Sequence, residues 1–321
     1  MLHRHLSFYV VMLCILSACA QPQTQCPTPG PDQPLPEITG PLKSHTEVRP
    51  PIIGVVLGGG GARGFAHVGV LRVLEREKIP IQLIVGTSVG SLIGAMYAAE
   101  PNAFELEWKA YRIEDSDVFD FSLFSVKTGP VKGEAIQNYV RQNIKSKNIE
   151  DFKIPYIAIA TDLNTGALVE FGRGSIVDAV RASVSIPGVF TPIRIGDKTY
   201  VDGGVVANLA VDVARNRQAD IVIAVNINEN VINYHVNDVV TIILQSISIM
   251  MEKLAQNELR KADAVITPDI GNVSTLDFSQ KKRCIEEGIK ATEKSLEAIK
   301  KAVVTYYLRQ GANAPPEYAN N

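Results

Sequence analysis

A chain of 321 residues has room for one large α/β domain or two small ones, and 46% hydrophobic residues suffice to bury a sizeable core. The 32 Lys and Arg set against 34 Asp and Glu leave a formal charge of −2, with the basic residues dispersed. That excludes a nucleic-acid groove but not a lipid surface, and the scattered cysteines and histidines form no cluster that would hold a metal.

The N-terminus reads as an address and not as fold. His3 and Arg4 give a weakly basic start, and Leu6 to Leu16 form an apolar run too short for a permanent span. The sequence Leu16-Ser17-Ala18-Cys19 resembles a bacterial lipobox. That resemblance implies that residues 1–18 are a lipoprotein signal peptide and that Cys19 is acylated as the new N-terminus, with ordinary secretion as the alternative. Ala20, standing where an aspartate would favour inner-membrane retention, directs the expectation to the periplasmic face of an outer membrane. Each buried methylene of an acyl chain contributes about 0.8 kcal/mol, so several chains anchor a protein essentially permanently. Residues 19–51 are rich in Pro, Gly, Thr and Gln and read as a disordered tether. A disulfide between Cys26 and Cys284 is allowed by export but not demanded by spacing.

The globular domain is expected over residues 52–310, with 311–321 as a flexible tail. Ile52 to Leu57 is a β-branched strand, a glycine run follows, and a helix extends from Phe65 to about Glu77. Ile81 to Val85 returns as a strand parallel to the first, then a helix of small residues runs from Ser91 to Ala99. Further strands are expected near Ile154 to Thr161, Ala167 to Phe171, Thr199 to Val201, Ile221 to Val225 and Ala264 to Thr267. Helices are expected near Lys132 to Ile144, Ile176 to Ala182, Asn208 to Arg217, Val239 to Gln256 and Lys281 to Tyr307. The alternation points to a three-layer α/β/α domain with a mostly parallel sheet. Val118 to Phe124 reads as a loop that either serves as a lid or interface-touching segment or simply covers the core with its aromatics. Val239 to Met251 is almost wholly apolar yet too short for a membrane span; it reads as a buried helix, with a membrane-contacting one as the alternative.

Two loops carry the chemistry. Gly86-Thr87-Ser88-Val89-Gly90 fits the Gly-x-Ser-x-Gly elbow, in which a serine sits on a strained strand-to-helix turn with its hydroxyl lifted above the sheet edge. The other is Gly58-Gly59-Gly60-Gly61-Ala62-Arg63-Gly64. It satisfies the dinucleotide spacing G-x-G-x-x-G, but the second strand ends in the serine elbow and supplies no acidic residue for a ribose. No Gly-Lys-Ser/Thr follows, so a P-loop is excluded as well. The remaining use is electrostatic: unpaired backbone N–H groups at a helix start can hold a developing oxyanion. Both loops follow neighbouring parallel strands and therefore face one crevice.

A serine nucleophile needs a base. His45 lies in the tether, His67 in the first turn of a helix where packing or capping is the plainer role, and His235 in a polar linker. Asp202, in Tyr200-Val201-Asp202-Gly203-Gly204, closes a short strand before two glycines and can lean into a crevice; a plain Asp-Gly turn is the alternative. As a base it would need a pKa raised by burial. Asp162 and Asp178 read as a turn residue and a helix-start residue.

In order, the glycine loop, Gly86-Thr87-Ser88-Val89-Gly90 and Asp202-Gly203-Gly204 resemble the three hallmarks of patatin-like phospholipases. Ala182-Ser183-Val184-Ser185-Ile186-Pro187 is similar to the Ala-Ser-x-x-x-Pro block of bacterial members. The resemblance implies a Ser88–Asp202 dyad, an acyl-serine intermediate and an oxyanion hole drawn from Gly59, Gly60, Gly61 and Arg63, with Arg63 either bracing the loop or meeting a lipid phosphate. It implies hydrolysis of phospholipid, lysophospholipid or related esters with no cofactor. The alternatives are a non-catalytic lipoprotein that binds lipid or protein through the same crevice, and a Ser–His–Asp esterase using His235. Oligomeric state has no signature in the sequence.

Overall fold

The structure is a computed structural model whose described residues are 48–118, 131–228 and 239–319. The signal peptide, Cys19, Cys26, His45, Phe119 to Phe124 and His235 lie outside them. Five short β-branched runs build the parallel part of the sheet or flank it: β1 (Ile53–Leu57), β2 (Leu83–Thr87), β3 (Tyr156–Asp162), β7 (Ile221–Val225) and β8 (Ala264–Ile266). Three more strands complete it, namely β4 (Leu168–Phe171), β5 (Ile193–Ile195) and β6 (Lys198–Asp202). The order is β5-β6-β3-β2-β1-β7-β8, with β4 also paired to β3. Pairs β3-β2, β2-β1, β1-β7 and β7-β8 are parallel, while β4, β5 and β6 join antiparallel at one side.

Side-chain alternation sorts the strands onto two cores. Along β1, Ile53, Val55 and Leu57 face a large cluster built with α1 (Phe65–Arg76), α2 (Val89–Ala99), α3 (Ala103–Arg112), α5 (Glu134–Asn143), α6 (Ile176–Ser183) and α9 (Lys281–Arg309). Val56 points the other way, into a cluster with Leu83, Val85 and Leu209 under α7 (Val211–Asn216) and α8 (Val239–Leu259). A single turn, α4 (Asp115–Val118), follows α3. The outcome is the expected α/β fold: a mostly parallel central sheet between two helical layers.

Four features depart from expectation. α3 and β5 were not assigned from the sequence. α8 buries only one side: Leu244, Ser248, Met251 and Ala255 are covered, whereas Val239, Ile242 and Ile249 remain in water. The C-terminal residues do not trail away as a tail, because α10 (Pro316–Ala319) and Tyr318 pack back on the main core. At the other end, Arg49 forms a two-pronged ion pair with Asp220, so ordered packing begins before residue 52.

Candidate active site

Strand register brings the sequence-predicted residues together. Thr87 of β2 pairs with Ile159 of β3, and the next β3 residue, Ala160, pairs with Asp202 of β6. Ser88 and Asp202 therefore stand at one height, two strands apart, roughly 10 Å between backbones, a span that two inward-leaning side chains share. The glycine loop leaves β1 beside β2, and the loop after β7 leaves on the other side of β1. The strand order thus reverses at β1, where open α/β sheets form their crevices.

Ser88 occupies a conformation that L-residues avoid, φ 55° and ψ −127°. Such a residue costs on the order of 1–3 kcal/mol and persists only where its surroundings hold it. Gly90 is the first restraint. A Cβ there would drive into the Leu57 and Gly58 carbonyls, so only glycine lets the elbow press against the end of β1. The second restraint is Ser183, whose hydroxyl accepts the Ser88 N–H at 3.0 Å and donates to the Ile159 carbonyl at 2.6 Å. Two residues on, the Ser185 carbonyl accepts the Asp202 N–H at 3.0 Å. The Ala182–Pro187 block thus ties both ends of the crevice to one helix terminus. Ser183→Ala would strand two buried backbone groups. It should destabilise the fold by roughly 2–4 kcal/mol in urea unfolding, with Ser88 losing its fixed orientation.

Asp202 is buried, 4% exposed. Its Oδ1 accepts the Gly204 N–H at 2.8 Å, while Oδ2 has no hydrogen-bond partner of good geometry among the described residues. Burial pushes the carboxyl up to about 7, against the lesser opposing influence of the Ser88 hydroxyl and the Gly204 amide. The two side chains are therefore close enough to sense each other, and the carboxylate keeps an unused oxygen.

The glycine loop is pinned by its neighbours. Gly58 N–H donates to the Val225 carbonyl, and His67 Nε2–H donates to the Gly58 carbonyl at 2.8 Å. His67 is buried, which lowers its pKa to about 4, so the ring is neutral and serves the loop as a packed strut. Asn208 Oδ1 accepts the Gly59 N–H at 2.8 Å, and Asn228 Nδ2 donates to the Gly59 carbonyl at 3.0 Å. Ala62 N–H reaches the Thr275 carbonyl. The amides of Gly60 and Gly61 have no such partner among the described residues, and both glycines line the crevice with Ser88 and Asp202.

This corrects the expected donor set. The Gly59 amide is taken by Asn208, although the loop at Gly59 lies close enough that a Cβ there would sit 2.9 Å from Ser88 Cβ. Arg63 is buried and directs its guanidinium to Asn228 Oδ1 at 2.8 Å and Thr275 Oγ1 at 3.1 Å, so of its two expected roles it takes the bracing one. Asp162 and Asp178 keep their plain roles: Asp162 Oδ1 caps the turn amides of Asn164 and Thr165, and the Asp178 N–H donates to the Ser175 hydroxyl at the start of α6. Cys284 is a free thiol buried in α9, and Cys26 lies outside the described residues.

Two cavities meet at Ser88. The first holds Ser88, Asp202, Gly60, Gly61 and Asn228 under Ser248 and Met251 of α8. The second lies between α2 and α5 and is walled by Leu92, Ile93, Ile136, Phe190 and Phe278. Asn208, Asn228, Thr275 and this apolar chamber carry no functional signal in the sequence. Ser183 lies within the Ala182–Pro187 motif, whose pattern alone does not show that its hydroxyl holds Ser88.

The sequence profile described as patatin-like phospholipase matches residues 55–215, from β1 past Asp202. The chain is 36% identical over 181 residues to patatin-like phospholipase domain-containing protein 6 of Mus musculus, a match covering 54% of this chain and 13% of that protein. It is 34% identical over 178 residues to an uncharacterized NTE family protein of Mycobacterium tuberculosis, covering 56% and 49% respectively. In both cases the match takes in less than half of the relative's own length. Among solved structures, VipD from Legionella pneumophila shares the fold with a TM-score of 0.53 over 76% of this chain and 66% of that one, at 15% identity. With a profile match over half its length that contains the glycine loop, the serine elbow and the Asp-Gly-Gly turn, this chain belongs to the patatin-like phospholipase family.

Proposed function

We propose that the chain is a serine acyl hydrolase that cleaves ester bonds of phospholipids, lysophospholipids or related lipids. Asp202 takes the Ser88 hydroxyl proton as Ser88 Oγ attacks the ester carbonyl, and the Gly60 and Gly61 amides receive the oxyanion. The alcohol leaves with the proton held by Asp202, and the acyl group stays on Ser88. Water then gives a proton to Asp202 and its oxygen to the acyl carbon, releasing the fatty acid and restoring the hydroxyl. An ester suits a base of this kind, because an alkoxide leaving group demands less proton donation than an amine.

The observation that carries this reading is the position of Ser88 at the junction of two unlike cavities. One brings a carboxylate oxygen and two amides that have no hydrogen-bond partner among the described residues; the other is walled almost wholly by hydrocarbon, the lining an acyl chain requires. A separate proposal, supported by the lipobox-like Leu16-Ser17-Ala18-Cys19 and by Ala20, is that the chain is an exported lipoprotein held by acylated Cys19 at the periplasmic face of an outer membrane.

The test is covalent labelling with a fluorophosphonate, followed by product analysis on a defined phospholipid and lysophospholipid panel. The adduct should map to Ser88, and Ser88→Ala should lose both the adduct and all lipid turnover. Unlabelled protein that leaves every lipid and short-chain ester intact would instead favour the non-catalytic lipoprotein that only binds acyl chains.

A further inference from the structure

Helix α8 is apolar on two opposite sides. Leu244, Ile247, Ser248 and Met251 line the cavity of Ser88 and Asp202. With 3.6 residues per turn, the far side carries Val239, Ile242 and Ile249, which are 70%, 52% and 45% exposed. Farther along that same side come Lys253 and, one residue past the helix, Arg260, both exposed. No charged residue occurs between Val239 and Met251, a run flanked in the sequence by Asp238 and Glu252. Of the two acids of this helix, Glu258 is turned away from the stripe, accepting the Asp212 N–H and the Lys261 ammonium, and Glu252 is half-buried with its Oε2 covered.

The outward stripe is thus graded, hydrocarbon at its beginning and cationic at its end. That gradient matches a lipid–water boundary, where apolar side chains reach the acyl layer and ammonium and guanidinium groups sit among phosphates. The stripe also lies on the back of the helix that walls the cavity, so a lipid surface against it would stand next to the cavity that takes the substrate. Among the described residues no helix is long and apolar enough to cross a membrane, so this contact would lie in the plane of the surface.

We propose that the outer face of α8 docks on an anionic phospholipid bilayer, with Val239, Ile242 and Ile249 in the acyl layer and Lys253 and Arg260 at the phosphates. The choice of lipid as occupant rests on the lipid-ester reading above; the contact itself needs no catalysis.

Trp108 is the one tryptophan of the sequence, so a spectroscopic reporter can be moved onto the stripe. The full chain carrying Ser88→Ala, Trp108→Phe and Ile242→Trp is mixed with vesicles of phosphatidylcholine, alone or with phosphatidylglycerol. Emission should shift to the blue and be quenched by brominated acyl chains, more strongly with phosphatidylglycerol. The same should hold for Ile249→Trp in place of Ile242→Trp. Adding Lys253→Glu with Arg260→Glu should weaken the response to phosphatidylglycerol vesicles about tenfold or more.

Unchanged emission while the chain still sediments with vesicles would overturn the proposal, since binding would then run through the N-terminus alone. A blue shift that needs no vesicles and grows with protein concentration would also overturn it, marking the stripe as an interface between copies. Because insertion is read without turnover, neither result touches the hydrolase reading, which stands or falls on the Ser88 adduct.

Discussion

Asp202→Asn is expected to abolish ester turnover and, above neutral pH, to make the protein more stable than its parent. Both effects come from one carboxyl, lifted by burial from its ordinary 3.8 to about 7. As a base it works only when ionised, so parental kcat/KM should rise with pH through about 7 and then level off, while the asparagine variant stays inactive throughout. The stability effect has the opposite slope. Between pH 4 and 7 the unfolded chain has already released this proton and the folded chain still holds it. Folding therefore weakens as pH rises through that window and is unaffected below it. About three pH units at 1.36 kcal/mol each set an upper bound of roughly 4 kcal/mol on the cost at pH 8. Asparagine preserves the acceptor for the Gly204 amide and carries no charge, so it relieves the cost. Urea unfolding at pH 4 and pH 8 checks this: the two proteins should match at the lower pH and separate by a few kcal/mol at the higher. A parental stability that is flat across the window would show that the carboxyl is not strained by burial and would remove the physical basis for its use as a base.

Such a cost is legible only in three dimensions, although its location was legible in the chain. β1, β2 and the helices after them could be read because each signal is local: a short β-branched run, a glycine cluster, then helical spacing. Ser88 and Asp202 stand out because each has glycines within its own turn, Gly86 and Gly90 on either side of the serine and Gly203 and Gly204 after the aspartate. The residues that hold the glycine loop gave no such signal. Asn208 and Asn228 act on Gly59 from 149 and 169 positions away, and Ser183 acts on Ser88 from 95. Each bonds to backbone, and backbone has no sequence. α3 escaped for a different reason. Its buried side is mostly small, Ala103, Leu106 and Ala110, whereas Phe104, Trp108 and Tyr111 face water, so the helical period of hydrophobicity is inverted. β5, three residues at the sheet edge, is too short for alternation to register. The apolar chamber could not be read at all, since its walls come from elements spread between Phe65 and Phe278.

Asn228 is where the loop and the buried arginine depend on one amide, and two substitutions there should separate stability from catalysis. Its Oδ1 accepts from the Arg63 guanidinium and its Nδ2 donates to the Gly59 carbonyl. Asn228→Leu removes both, leaving a buried cation short of a partner and a buried carbonyl bare. Hydrogen bonds to charged groups contribute about 1.5–3 kcal/mol and an orphaned polar group costs about 1–3, so roughly 3 kcal/mol or more of stability should be lost. Asn228→Asp keeps an acceptor for Arg63 and adds an attraction between opposite charges, so its unfolding midpoint should stay near the parental one. It cannot donate to Gly59, however, and sets a carboxylate oxygen against that carbonyl. The glycine loop should then shift, carrying the Gly60 and Gly61 amides off the oxyanion position. A misplaced donor of this kind costs on the order of tenfold to a thousandfold in kcat. Urea melts and ester kinetics on the two variants give the result directly: leucine unstable, aspartate stable but slow. Full activity in Asn228→Asp would mean that the glycine amides are not held by this residue, and the oxyanion site would have to be sought elsewhere along the crevice.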